Sequence, residues 1–271
     1  MLQDKKIGFI GGGNMAEALI KGLLAGGVPA GELSVAEPVA ERRTFLKDRY
    51  GVNVSCDNGE VAGRSDILFL AVKPQVAEPV LAGLAGAVGP DALLISIMAG
   101  VKTATIEAAF ATGVKVVRVM PNTPSLVLEG ATALCTGANA TADDLSTARR
   151  IFELVGKACI VDEKLIDAVT GLSGSGPAFV LTFIEALSDA GVKNGLPRDV
   201  ATSLAAQTVY GTARLLLETR EHPAMLREKV TSPGGTTIAG LHVLEKEGFR
   251  GTVINAVDAA TARSKELAGG K

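Results

Sequence analysis

The stretch Ile7-Gly8-Phe9-Ile10-Gly11-Gly12-Gly13-Asn14-Met15-Ala16 decides the fold. An apolar strand runs straight into glycines, and a helix pattern follows at once. Gly11 permits the tight turn. Gly13 has no Cβ, so a backbone can come close to a pyrophosphate there. Ala16 lets the helix pack tightly on the strand. The spacing GxGxxA, read between a strand and a helix, predicts a dinucleotide-binding turn with the phosphates at the helix N-terminus. Ile10 through Met15 are the candidate pyrophosphate residues, namely Ile10, Gly11, Gly12, Gly13, Asn14 and Met15.

Outward from that turn, short β-branched runs alternate with helical patterns. Strands are predicted over Lys6–Ile10, Leu33–Ala36, Asp66–Ala71, Leu93–Ile97, Lys115–Val119 and Ala131–Cys135. Helices are predicted over Asn14–Ala25, Ala40–Tyr50, Val76–Ala87, Thr103–Ala109 and Ala142–Leu154. This alternation means βαβ units and a mostly parallel, doubly wound sheet. The run Ile67–Val72 is apolar almost throughout, as burial on both faces requires. It ends on Ala71-Val72-Lys73-Pro74, at the sheet edge where ligands bind in such folds, so Ala71, Val72, Lys73 and Pro74 are candidate binding residues.

The ribose reader is expected at the end of the second strand, where Glu37 stands. Its carboxylate would accept hydrogen bonds from ribose hydroxyls and repel a 2′-phosphate. Arg42 and Arg43 follow one helical turn later and would answer that phosphate instead. NADH and NADPH both stay open on this reading.

Beyond about Val161 the strand pattern stops. Helices are predicted over Gly176–Asn194, Arg198–Thr219 and Thr252–Leu267, with Pro197 as a first-turn signal. This divides the chain into a dinucleotide-binding domain, residues 1–161, and an all-helical domain, residues 162–271. The helix Arg198–Glu218 carries apolar residues on most of its surface, which about 110 residues of helix can hardly bury alone; a partner subunit is expected. Two clusters, Gly171-Leu172-Ser173-Gly174-Ser175-Gly176-Pro177 and Val230-Thr231-Ser232-Pro233-Gly234-Gly235-Thr236-Thr237, interrupt the helices. Helix N-caps and an anion pocket both account for them, since a capped N-terminus also attracts a carboxylate.

Composition limits what else the chain can be. Its 271 residues are 47% hydrophobic with no Trp, and the formal net charge is −2, so no basic field favours nucleic acid. Cys56, Cys135 and Cys159 are too scattered for a disulfide framework or a zinc site and read as buried thiols in a reducing compartment. The N-terminus has no apolar segment of the secretory type, and no uncharged run reaches the roughly 20 residues of a membrane helix. A cytoplasmic protein is expected. His222 and His242 have no partners for a triad or a metal; His222 reads as a cap before Pro223 and His242 as a helix residue. The chemistry is then expected from the cofactor.

Taken together, Ile7–Ala16, Ala71–Pro74, Met120-Pro121-Asn122-Thr123-Pro124, Gly171–Pro177 and above all Thr231-Ser232-Pro233-Gly234-Gly235-Thr236-Thr237-Ile238 resemble the pyrroline-5-carboxylate reductase family along the whole chain. The resemblance implies an N-terminal Rossmann domain and a helical dimerisation domain, in a homodimer that some members build into rings. It implies reduction of (S)-1-pyrroline-5-carboxylate to L-proline with NADPH or NADH. By motif, Asn58 with Ala71 to Pro74 would line the adenosine side. Ser175, Gly176, Ser232, Gly234, Gly235, Thr236 and Thr237 would hold the substrate, with Thr237 bonding the ring nitrogen. Glu37 departs from the small polar residue of many members, which puts an NADPH preference in doubt.

Two rival readings have their own discriminators. A β-hydroxyacid dehydrogenase resembles this plan but uses a lysine on the helix after the second glycine motif; here that helix has none until Lys193. A non-catalytic cofactor sensor would keep Gly11 and Gly13 without needing the Ser232–Thr237 cluster.

Overall fold

A computed structural model describes residues 2–110 and 113–269. Eight strands form one sheet among the described residues: β1 (Ile7–Ile10), β2 (Leu33–Ala36), β3 (Asn53–Ser55), β4 (Ile67–Leu70), β5 (Leu93–Ser96), β6 (Lys115–Met120), β7 (Gly130–Thr136) and β8 (Gly156–Ile160). Their order is β3-β2-β1-β4-β5-β6-β7-β8. Every neighbouring pair is parallel except β6 with β7. The strand order reverses between β1 and β4, which opens a crevice at their carboxyl ends.

The sheet holds two cores because successive strand residues point to opposite faces. Phe9, Phe69 and Ile95 feed one core, together with Leu19, Ile20 and Leu23 of α1 (Asn14–Ala25) and Ile151 and Phe152 of α6 (Ala142–Glu153). Phe9 and Phe69 stack there with ring centroids 4.7 Å apart. Ile10, Leu68, Leu70 and Leu94 feed the other core, under α3 (Asn58–Ala62), α4 (Ala77–Leu84) and α5 (Thr103–Glu107). The apolar spacing of α1 at Ala16, Leu19, Ile20 and Leu23 gives it one buried stripe, as a helix laid on a sheet needs.

Two strands and several short helices lie outside the sequence expectations. β3 is three residues long and β8 begins on Gly156 at φ +145°, so neither carries a β-branched run of ordinary length. The remaining helices are α2 (Ala40–Tyr50), α7 (Ile166–Val169), α8 (Gly176–Lys193), α9 (Arg198–Thr219), α10 (Pro223–Lys229), α11 (Thr236–Lys246) and α12 (Phe249–Ala268). Pro197 is the N-cap of α9 rather than its first-turn residue. His222 caps α10, its Nδ1 accepting from the Ala224 N–H at 3.2 Å, and His242 lies within α11, as expected for both.

The chain forms two compact units, Met1–Ser175 with Ala259–Lys271, and Gly176–Asp258. The strands end at Ile160, near the division read from sequence, whereas compactness assigns the next fifteen residues to the sheet's unit. In the second unit α8 and α9 pack side by side. A Cβ on Gly191 would lie 2.9 Å from that of Ala201, so the glycine permits this close approach. Ser188 and Thr202 share a 2.8 Å hydrogen bond across the pair. Leu204, Leu215 and Leu217 of α9 are each about half exposed within the chain.

The cysteines differ from expectation. Cys135 alone is buried; Cys56 and Cys159 are exposed. Cys159 sits on β8, the edge strand of the sheet, where Lys157 and Ile160 are exposed as well. Burial, helped by the Glu163 carboxylate, pushes the Cys135 thiol up to about 11, so it stays protonated and unreactive.

Candidate active site

The register puts Ile10 beside both Ala36 and Leu70, so Gly11, Glu37 and Ala71 emerge together at the carboxyl edge of the sheet. Gly11 takes φ +98°, and a Cβ there would lie 2.7 Å from the Ala71 carbonyl oxygen and 3.2 Å from Val72. The first two candidate segments are thus in direct contact. Its N–H donates to the Ala36 carbonyl at 2.8 Å, which locks the turn to β2. A Cβ on Gly12 would meet Leu46 at 2.8 Å, so this glycine also fills a tight space. Around Gly13 nothing lies within 4 Å of where a Cβ would be.

Gly13 is the N-cap of α1, and no side chain caps it. Among the described residues no side chain caps the first N–H groups of this twelve-residue helix, and the space beside Gly13 is open. Bare amides, a helix dipole and room beside a glycine fit a pyrophosphate. The residues present thus suit a dinucleotide.

Glu37 lies at the expected place. Its carboxylate accepts from the Gly12 N–H at 2.9 Å and the Val39 N–H at 3.0 Å. Arg42 donates to the Gly12 carbonyl at 2.6 Å and pairs with Glu17 at 2.5 Å. Burial works to raise the Glu17 carboxyl, but bonds from Tyr50 and Arg42 outweigh it and hold the group below its ordinary value. Asn58 opens α3, where Asp57 caps the helix by accepting from Gly59 and Glu60. Lys73 and Pro74 are exposed at the end of β4.

The cluster Gly171–Pro177 is not a break with a capped helix after it. Thr170–Gly174 forms one π-helical turn, and Val169, Thr170 and Ser175 all keep right-handed helical dihedrals, so α7 runs on towards α8. Such turns recur at functional sites. Asn122 holds this one from outside: its Nδ2 donates to the Ser173 carbonyl at 3.0 Å, and its Oδ1 accepts from the Ala131 N–H at 2.8 Å. Met120 lies against Gly174, where a Cβ would come 2.7 Å from its Cε. The Met120–Pro124 motif therefore acts by fixing the turn that carries Ser175.

A cavity of about 490 Å³ lies beside that turn, within the first unit. Pro74, Gly100 and Ser175 line it, and Arg263, Ser264 and Leu267 of α12 form its remaining wall. Ser264 is buried and donates to Asp167 at 2.7 Å. No local pattern announces these α12 residues, since they read as an ordinary amphipathic helix end.

In the second unit, Gly234 takes φ +68° and Gly235 is the N-cap of α11, again with no side-chain cap. The expectation of Ser or Thr caps therefore fails at both clusters. What α11 offers instead is a bare N-terminus, starting at Thr236 and Thr237, with Ser232 three residues before the N-cap. Ser232 and Thr236 are exposed and Thr237 is half-buried. Neutral donors around a helix start attract a small carboxylate. Among the described residues no cluster of side chains suits a metal ion, and no helix is long and apolar enough to cross a membrane.

Comparison with known proteins identifies relatives of the whole chain. Residues 163–267 match the model of pyrroline-5-carboxylate reductase dimerisation, and residues 6–100 match that of NADP oxidoreductase, coenzyme F420-dependent. A pyrroline-5-carboxylate reductase of Synechocystis sp. is 52% identical over 97% of this chain and 98% of its own length. Among solved structures, one of a pyrroline-5-carboxylate reductase from Coxiella burnetii superposes with a TM-score of 0.92 at 39% identity, covering 97% of this chain and 98% of that one. A Plasmodium falciparum pyrroline carboxylate reductase with NADP bound gives 0.89 at 36% identity, covering 99% and 100%.

Proposed function

The chain belongs to the pyrroline-5-carboxylate reductase family, and we propose how its own residues divide the work of that reaction. It is an NAD(P)H-dependent oxidoreductase of proline biosynthesis that reduces (S)-1-pyrroline-5-carboxylate to L-proline. The observation that carries the assignment of roles is the pair of uncapped helix N-termini, at Gly13 and at Gly235.

Residues 1–161 serve the cofactor, and residues 162–271 serve substrate and dimerisation. Ile10 to Met15 seat the pyrophosphate, Glu37 meets the ribose, and Asn58 with Ala71 to Pro74 line the adenosine side. Ser175, Gly176, Ser232, Gly234, Gly235, Thr236 and Thr237 hold the carboxylate and ring of the substrate. When bound, NAD(P)H supplies the hydride that goes to the imine carbon. Thr237 orients the ring nitrogen and relays a proton to it; an alcohol is too weak an acid to protonate unaided.

The chain carries the family's dimerisation region, and the half-exposed leucines of α9 support a homodimer that covers them. Sedimentation of the purified chain tests this and separates a dimer from a ring of dimers. The proposed location is the cytoplasm. The activity is tested by following oxidation of NADH and NADPH with pyrroline-5-carboxylate, beside a panel of 3-hydroxyacids offered with the oxidised cofactors. Turnover confined to the imine is expected; turnover confined to the hydroxyacids would refute the reading.

A further inference from the structure

Gly12 is gripped at both poles. Its N–H donates to Glu37, and its carbonyl accepts from Arg42 Nε. Arg42 is held again by Glu17, whose other oxygen accepts from the Tyr50 hydroxyl at 2.7 Å. Its guanidinium also lies 5.0 Å from the centre of the Phe45 ring. Arg42 Nε is thus committed to the turn, and its charge is already met by Glu17 through Nη2, so a phosphate would have to compete with that carboxylate. Arg43 is likewise engaged, donating to the carbonyls of Glu37 and Pro38 at 2.6 and 2.8 Å.

Glu37 differs from both arginines. The recorded partners of its carboxylate are two backbone N–H groups, one on each oxygen. Those bonds fix the group without neutralising it by a cation. Each oxygen keeps a lone pair to accept from a hydroxyl. A phosphomonoester brings up to about two further negative charges to the same place. A ribose hydroxyl donates to a carboxylate; a phosphate oxygen cannot.

We propose that Glu37 makes this chain select NADH over NADPH, and that Arg42 is a positioning residue for the glycine turn rather than a reader of the 2′-phosphate. The two sequence candidates for phosphate recognition are thereby assigned to other tasks. This rests on the dinucleotide reading of the turn.

Calorimetric titration of the full chain with NADH and NADPH, without substrate, tests the proposal. Wild type is expected to bind NADH at least about tenfold more tightly, a difference of roughly 1.4 kcal/mol. Glu37→Gln removes the charge but keeps the shape, and is expected to close that gap on the order of tenfold; Glu37→Ser serves as a second variant should Gln misfold. Arg42→Gln is expected to weaken both cofactors by the same factor, leaving their ratio within about twofold, because it loosens the shared turn. The kcat/KM ratio for the two cofactors should follow the binding ratio in each variant. A wild-type preference for NADPH, or a ratio unmoved in both Glu37 variants, overturns the selection. Loss of NADPH binding alone in Arg42→Gln overturns the positioning role. Failure of wild type to bind either cofactor overturns instead the dinucleotide reading beneath both.

Discussion

Gly11 and Gly13 stand two residues apart, and replacing each by alanine is expected to give opposite results. At Gly11 the backbone sits at φ +98°, where a residue with a Cβ is strained by about 1–3 kcal/mol. The added methyl would also lie 2.7 Å from the Ala71 oxygen and 3.0 Å from its carbonyl carbon, both backbone atoms at the end of a central strand. Forcing such a contact apart costs about 1–3 kcal/mol more. Gly11→Ala should therefore lose about 2–6 kcal/mol of stability, a Tm lower by roughly 5–20 °C. At Gly13 φ is −69° and nothing lies within 4 Å of a new Cβ. The smaller unfolded-state entropy of alanine roughly offsets its poorer capping, so stability should stay within about 1 kcal/mol of wild type. Cofactor affinity should nevertheless fall at least about tenfold, because the methyl occupies the space against the bare amides. Thermal melts and calorimetric titration of both variants read this out. Wild-type affinity in Gly13→Ala would refute the seat of the pyrophosphate. A wild-type melt for Gly11→Ala would refute the account of the turn.

Three further substitutions test other parts of the structure. Asn122→Ala removes both bonds that hold the π-helical turn; a loss of about 1–3 kcal/mol in denaturant titration is expected. Its kcat/KM for the imine should fall about tenfold or more as Ser175 shifts. Glu163 accepts from the N–H and hydroxyl of Thr103 and from Arg118, which is itself buried. Burial works to raise the Glu163 carboxyl, but these bonds together hold it below its ordinary 4.5. Its folded value being depressed, the stability it adds is full above pH 4.5 and is lost as the pH falls through that lower value. Glu163→Ala should cost about 2–4 kcal/mol at neutral pH, a little less than a fully buried pair because the glutamate is partly exposed, and the difference from wild type should shrink in acid melts. Thr237→Ala should lower turnover about 10²–10⁴-fold with recovery in Thr237→Ser; a drop below about threefold would remove Thr237 from the proton path.

The turn and its strands were readable because their signals are local. Ile7–Ile10 and Ile67–Leu70 are apolar at nearly every position, and a glycine run follows the first directly. Glu37 could be placed by counting, since the end of β2 fixes where the ribose lies. The π-helical turn was not readable, because two glycines and a serine within five residues normally end a helix. It survives here through Asn122 and Met120, about fifty residues earlier, which grip Ser173 and pack on Gly174. Thr170 and Ser173 also turn their hydroxyls back onto the carbonyls four residues before them, satisfying themselves inside the helix. The caps expected at Ser and Thr positions failed for two reasons: at the first cluster the helix runs on, and at the second Gly235 took the cap position of α11. The α12 wall of the cavity was invisible because contact with Asp167 bridges 97 positions.

That wall has a consequence for how the molecule is made. The first unit is discontinuous, built from residues at both ends of the chain with the whole helical unit inserted between them. During synthesis the sheet can form as soon as β8 has left the ribosome, yet the pocket beside Ser175 lacks its last side until Ser264 and Leu267 have been translated. Domains otherwise fold in the order they emerge. Here the earliest-made module gains the last wall of its pocket from the latest-made turns of helix, so a chain stalled before residue 259 lacks that wall.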